Sequence, residues 1–449
     1  VSVTTAPTPS APTASSVGPA LPALQADWAL RAQSDPVLLG DIARAVRGPF
    51  HVINPDRFGT NLEAFQAVLR SAGVDGQIYF GKKANKAGGW LDECAARDGG
   101  VDVASAPELV HALAHGIRGC DIVVTGAAKA DELLWLAARH GCLIAVDNLD
   151  ELDRLIGLDC SARILLRVLP EVNPDSRFGL DATQWSRALD RCVQAVAAIT
   201  MEGFSFHLDG YRVEPRVELA DRLVDACLAA RARGLAATSV SIGGGFACSY
   251  VDSAEWQRFQ EGYRDEWFHA RKKFAKFYPY HQAPTGADML GAIVQRVGRR
   301  FAETGTRLYC EPGRALLDQG GFSVFPVQGY KERGDHGVVA VGGLSMSVSE
   351  QWKGSEFLPE PILWQEDSAE STGPVEAFIG GASCMEYDVL TWRKINFPRR
   401  PSYGDLIIYP NTAGYQMDKN ESEFHQLPLP PKIRVEHRDG RHTWGYDAS

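Results

Sequence analysis

No two of the nine cysteines form a C-x-x-C pair, and none falls in a spacing that suggests a zinc site or a disulfide framework. A scattered, odd set suits a reducing cytoplasm, the compartment expected for the chain. Apolar runs are short as well: none is long enough to span a bilayer, so no membrane segment is expected. Positive charge is scarce. Lys and Arg number 46 against 56 Asp and Glu, and the net charge of -10 argues against nucleic acid or an anionic membrane surface as a partner. The densest basic run, RKKFAK (271–276), reads as one polar helix face. The opening stretch VSVTTAPTPSAPTASSVGPALPALQ lacks a positive region followed by an apolar one, so residues 1–25 read as a disordered leader rather than a signal peptide.

What is present is a chain of 449 residues, 45% hydrophobic, long enough for two domains and a large core. From about residue 77, short apolar runs alternate with helical patterns. The runs are QIYFGK (77–82), VDVAS (101–105), DIVVTG (121–126), LIAVD (143–147), RILLRVL (163–169), FSFHLD (204–209), SVSIGGG (239–245) and RLYCEPG (307–313). Between them lie segments such as ADELLWLAARHG (130–141), with apolar residues at helical spacing and Gly141 as a stop. Eight such units predict a (β/α)8 TIM barrel over residues 55–318; a doubly wound open sheet is the competitor. After about residue 318 the chain turns strand-rich, in GFSVFPVQGYKE, HGVVAVGG, VEAFIGG and DLIIYPN. Residues 319–449 are expected to form a second, mostly β C-terminal domain, joined by residues 26–54.

Barrel chemistry gathers at the C-terminal ends of the strands. Those ends carry Lys83, Asp102 with Ser105, Thr125, Asp147, Arg167, His207, the triplet Gly243, Gly244 and Gly245, and Glu311 with Arg314. The first run closes on Lys82 and Lys83, which strand alternation sends to opposite faces, so only one can serve the mouth. Loops after the seventh and eighth strands commonly hold a phosphate, and three glycines beside Arg314 suit that use, although tight turns also use glycine. A lysine, a phosphate pocket, a carboxylate and a histidine together suggest pyridoxal 5'-phosphate. Lys83 would form the Schiff base and Glu311 would pair with the pyridine nitrogen. His207 would stack on the ring, or equally serve as a strand-end histidine bonded to a neighbour.

The stretches KANK at Lys83, VDVASAPEL, VTGAAKADE, LLRVLPEVNPDSRFGL, GFSFHLDGY, SIGGGF, EPGRAL, GGASCMEYDVL and GDLIIYPNTAGY resemble, in order and spacing over about residues 50–420, the fold-type III pyridoxal-phosphate decarboxylases. That group includes diaminopimelate and ornithine decarboxylases, with an alanine racemase-like fold. YQMDKNESEFHQLPLPPK resembles a subgroup tied to specialised-metabolite gene clusters. The resemblance implies that Lys83 carries the cofactor, His207 stacks on it and Glu311 faces its nitrogen. It further implies that Gly244, Gly245, Gly313, Arg314 and Tyr415 hold the phosphate, with Arg167 near the ring on the barrel floor. Cys384 and Asp388 would come from the partner of a head-to-tail homodimer, Cys384 returning a proton to the α-carbon after the carboxylate leaves. By itself Cys384 reads as a small hydrophobe.

The departures bear on substrate. Where several basic-substrate members carry an acidic residue after the cysteine, this chain has Met385, then Glu386, and Met cannot pair a distal ammonium. The histidine motif continues with Asp209, which would turn toward substrate or a backbone donor. The loop GGLSMSVSEQWKG lacks the family's basic residue. An insertion over residues 247–305, carrying Trp256, Trp267, Phe268, Tyr278, Tyr280 and His281, is expected to lie over the mouth. Its aromatics either wall a pocket for a larger or conjugated amino acid or pack the insertion itself. Decarboxylation of an amino acid, free or carrier-tethered, is the leading expectation. An amino-acid racemase or epimerase of the same fold, or a non-catalytic pyridoxal-phosphate carrier or regulatory protein, stays open.

Overall fold

The computed structural model describes residues 17–348, 354–365, 373–419, 421–438 and 440–447. Strand β1, Phe50–Ile53, precedes eight others: β2 Gly76–Gly81, β3 Gly100–Val103, β4 Ile122–Val124, β5 Leu143–Val146, β6 Ala162–Arg167, β7 Ile199–Ser205, β8 Ser239–Ser241 and β9 Arg307–Cys310. Each of these eight pairs in parallel with the next, and β9 returns to β2 through Leu308 opposite Gly76, closing the expected barrel. The helices between them start where a side chain can take up a free N–H. Ser105, Asn148 and Asp181 cap Ala106–Ala114, Leu149–Ile156 and Ala182–Gln194, each cap being worth about 1 kcal/mol.

Alternation along the strands decides what reaches the barrel interior. Tyr79, Val123, Leu143, Leu165 and Tyr309 form their own buried cluster inside the ring, while Ile78, Phe80, Val124, Ile144 and Leu166 pack outward in the main core. Stepping two residues along the inward register leads from Val123 to Thr125, from Leu165 to Arg167 and from Tyr309 to Glu311. Strand β7 needs a correction to hold this register. Its pairing with β6 slips by one residue at Ile164/Leu165, beside Gly203. There φ is +146 and a Cβ would overlap the Ser239 carbonyl, so only glycine fits. At the N-terminal end the ring is sealed by Glu202, which pairs with Arg163 at 2.6 Å and Arg307 at 3.3 Å.

The second unit is a sheet in the order β14-β13-β11-β10-β1-β16-β17, with β15 pairing both β10 and β12. Its strands are β10 Gly321–Arg333, β11 His336–Val341, β12 Ile362–Trp364, β13 Val375–Gly380, β14 Val389–Phe397, β15 Leu406–Tyr409, β16 Lys432–Arg438 and β17 Arg441–Tyr446. β1 lies between β10, antiparallel, and β16, parallel. Helices Asp27–Ser34 and Pro36–Val46 cover it, burying Ala32, Leu39 and Ile42 against Val52, Phe322, Val324 and Ile433. Of the expected leader, residues 1–16 lie outside the described residues. The rest of it is packed rather than loose: Leu21 is fully buried, Leu24 N–H donates to the Tyr250 carbonyl at 2.7 Å, and Arg393 Nη1 donates to the Pro19 carbonyl at 3.1 Å.

The expected insertion divides in two. Gly286–Thr304 is the regular barrel helix before β9, so the extra segment is residues 247–285. Most of its aromatics pack among themselves: Trp256 stacks on Phe259 at 5.5 Å and meets Tyr280 at 5.6 Å, and Trp267 and Phe268 are buried. His281 Nδ1 faces the Val251 carbonyl at 3.3 Å. Only the stretch 276–279, with Phe277 and Tyr278, reaches the barrel mouth. Among the described residues no helix is long and apolar enough to cross a membrane.

Candidate active site

A cavity of about 510 Å3 opens at the C-terminal ends of the barrel strands. Lys83, His207 and Glu311 line it, as do Gly244, Gly245, Gly313, Arg314 and Tyr415. The two lysines leave the strand before their side chains diverge: β2 stops at Gly81, and Lys82–Ala84 form a 3-10 turn. Lys83 enters the cavity. Lys82 lies outside that cavity, buried beside Glu108 and His111, its Nζ 3.5 Å from the Lys86 carbonyl.

Lys83 Nζ donates to Asp102 Oδ2 at 2.6 Å, and Thr125 Oγ1 donates to Asp102 Oδ1, also at 2.6 Å. Burial opposes the charge on Lys83, but Asp102, joined by Tyr415 and Glu311, more than offsets it, and the net shift is upward. Glu311 is fixed by Ser241, whose Oγ donates to Oε1 at 2.6 Å. Burial, then the nearby Asp102 charge, push Glu311 up to about 7. His207 moves the other way, to about 3, through burial and then the Lys83, Arg167 and Arg216 charges. The ring is therefore neutral at neutral pH. Its Nδ1 accepts the Gly244 N–H at 3.3 Å, which leaves the proton on Nε2.

The glycine turn after β8 is shaped for a close approach. A Cβ at Gly244 would stand 2.7 Å from the Glu311 carbonyl, and Gly245 has φ +76. Arg314 lies beside it between the rings of Tyr278 and Tyr415, at 4.6 and 4.8 Å, with Nη1 donating to Tyr250 OH at 2.7 Å. Tyr415 is held at φ +76, its N–H bonded to the Ala84 carbonyl at 2.8 Å, which ties it to the lysine turn. An amine, a buried acid, a neutral imidazole and an open glycine turn flanked by a guanidinium suit a phosphorylated aldehyde with a basic ring. The residues present fit pyridoxal phosphate.

The remaining expected site residues divide between the cavity and other positions. Arg167 is off the cavity wall, paired with Asp147 at 3.1 Å and stacked 4.5 Å above Phe178. Asp209 lines the cavity, but its Oδ2 takes a 3.4 Å bond from Asn173 Nδ2 rather than from a backbone donor. Cys384, Met385, Glu386 and Asp388 are not on the cavity wall of their own chain. Cys384 is exposed, whereas Asp388 is buried and turned inward: Oδ1 accepts Ser345 N–H at 2.7 Å and Oδ2 accepts Ser383 N–H at 2.9 Å. Those two bonds shape the cysteine loop. In the expected basic-residue loop, residues 349–353 lie outside the described residues.

Sequence reading assigned no role to Asp102, Ser241, Arg216 or His425. The alternation of SVS would have placed Ser241 inward with Ser239. His425, whose Nε2 accepts the Cys384 N–H at 3.2 Å, carries no pattern that points to it.

Residues 58–318 match the family model of the pyridoxal-dependent decarboxylases, pyridoxal binding domain. The uncharacterized protein y4yA of Sinorhizobium fredii is 36% identical over 421 residues, covering 90% of this chain and 91% of its own. Diaminopimelate decarboxylase of Bacillus subtilis is 25% identical over 422 residues, covering 86% of each chain. Among solved structures, lysine/ornithine decarboxylase of Vibrio vulnificus, complexed with putrescine, superposes with a TM-score of 0.70 at 18% identity, over 92% of this chain and 99% of that one. A site built to this plan, on a matched barrel that fills more than half the chain, places the protein in the family of pyridoxal-dependent decarboxylases, with pyridoxal phosphate as its cofactor.

Proposed function

We propose that the protein is a carboxy-lyase that removes the α-carboxylate of an amino acid, or of an amino-acid conjugate, in a specialised biosynthetic route such as that of a siderophore or antibiotic. One observation carries the reading: a buried glutamate, Glu311, shares the cavity with Lys83. An acid facing the cofactor's ring nitrogen favours loss of carbon dioxide; an arginine there, as in alanine racemases of this fold, weakens the electron sink.

When bound, pyridoxal phosphate supplies a ring that accepts the electron pair left by the departing carboxylate. The chain's residues do the rest. Lys83 holds the cofactor through its amine, and Asp102 keeps that amine's proton close. Glu311 keeps a proton available at its carboxyl, steadied by Ser241. Neutral His207 offers a flat, uncharged face, while Gly244, Gly245, Gly313, Arg314 and Tyr415 bind the phosphate. Phe277 and Tyr278 exclude water from one side. The partner subunit's Cys384 returns a proton to the α-carbon, so the active unit is a homodimer. Its exposure at a loop away from its own chain's cavity supports that arrangement. Nine free thiols suit a cytoplasmic location.

Met385 argues against a distal ammonium on the substrate, and Lys276 and Lys419 line the same cavity as Asp209. The test is a screen of amino acids and acylated amino acids with the cofactor-loaded protein, trapping released carbon dioxide and identifying the amine. Carbon dioxide with a matching amine is expected. An inverted amino acid with its carboxylate intact would replace this reading with a racemase.

A further inference from the structure

Arg216 lies in the first turn of helix Glu214–Ala232, and its side chain is fully buried. Three features make it costly there. A cation at a helix N-terminus opposes the helix dipole. A buried guanidinium normally has a carboxylate partner, yet among the described residues no acid contacts it. Its Nε is buried with no bond at all. Burial lowers its pKa to about 10, which leaves it charged at neutral pH.

Its hydrogen bonds show where it acts. Nη2 donates to the carbonyls of Leu208 at 3.2 Å, Gly210 at 2.9 Å and Gly244 at 3.3 Å, and Nη1 to that of Arg212 at 2.8 Å. One planar group therefore ties the loop after His207 to the glycine turn after β8. The turn's carbonyl at Gly244 is drawn back toward the arginine, and any Cβ at Gly245 would collide with the guanidinium. The charge stands directly behind a turn that faces the cavity.

We infer that Arg216 is a positioning residue for the cofactor's phosphate. It clamps the two loops of the cradle and supplies, from behind, a buried positive charge that the phosphate dianion balances. The inference rests on the reading of the cavity as the cofactor site. Arg314 flanks the turn from the cavity side; Arg216 backs it from the protein interior.

The test compares affinities of cofactor-free wild type, R216Q and R216K for pyridoxal phosphate and for pyridoxal, which lacks the phosphate, by absorbance titration. R216Q is expected to weaken pyridoxal phosphate about tenfold more than pyridoxal. R216K, which keeps the charge but cannot bridge both loops, is expected to weaken it about threefold more. If R216Q does not fold, the R216K ratio decides. Equal losses for both ligands, or an unchanged ratio, would reduce Arg216 to a structural clamp and overturn the inference. Failure of the wild type to bind pyridoxal phosphate would instead remove the site reading itself.

Discussion

Lys83, in the turn after β2, and Asp102, on β3, form an ion pair of 2.6 Å, and Thr125, just past β4, fixes the far oxygen of the same carboxylate. The relay holds the reactive amine protonated and aimed into the cavity.

Reducing the cofactor-loaded protein with borohydride and digesting it is expected to place the phosphopyridoxyl mass on Lys83. The label on Lys82 would show that the wrong lysine has been read as reactive. In D102N the side-chain shape is kept and the charge lost, so the pH at which the free Lys83 amine becomes reactive to reductive methylation should drop. An unshifted pH profile would mean that Asp102 does not govern it.

Glu311 makes a prediction about stability. Its pKa is raised from 4.5 to about 7 in the folded protein. Between those values the unfolded chain gives up this proton first, so stability falls as pH rises through the window and is level above it. The loss amounts to roughly 3 kcal/mol. Glu356, also pushed to about 7 by burial, adds a similar slope. The quantity to measure is therefore the difference between wild type and E311Q in urea denaturation of cofactor-free protein from pH 4.5 to 7.5. E311Q should flatten part of the slope, and identical slopes would contradict the assignment.

Shared sites predict complementation. K83A and C384A, each inactive alone, should recover up to about a quarter of wild-type carbon dioxide release when mixed and allowed to exchange subunits, because half the dimers then carry one intact site of two. Recovery of nothing after confirmed exchange would mean that Cys384 serves its own subunit's site, and full activity of C384A alone would place Cys384 outside the reaction.

Gly203 tests the barrel register. With φ +146 and the Ser239 carbonyl in the way of a Cβ, G203A should cost about 2–4 kcal/mol in chemical denaturation. A change below 1 kcal/mol would mean that β7 tolerates another register.

The barrel was legible because its strands are short, apolar and closed by turn residues, and because inward parity carries Arg167 and Glu311 to one end of the ring. Other features needed three dimensions. β14, β16 and β17 mix charges into their runs, as in TWRKINF and KIRVEHR, so their strand pattern is hidden by residues facing solvent or ion partners. Lys82 and Lys83 diverge in a 3-10 turn that no alternation rule describes. Arg216 has no motif, since its partners are backbone carbonyls that leave no trace in side-chain chemistry. Asp388 follows the cysteine motif as a ligand would, yet local N–H groups capture both its oxygens.

The place of β1 has a consequence for synthesis. This strand leaves the ribosome first among the strands of the described residues, but its neighbours on either side start only at residues 321 and 432. Its backbone groups must wait, unpaired, while the whole barrel is made. A chain cut after the eighth barrel strand would therefore carry an apolar orphan, Phe50–Ile53, and should clump rather than persist as a free barrel.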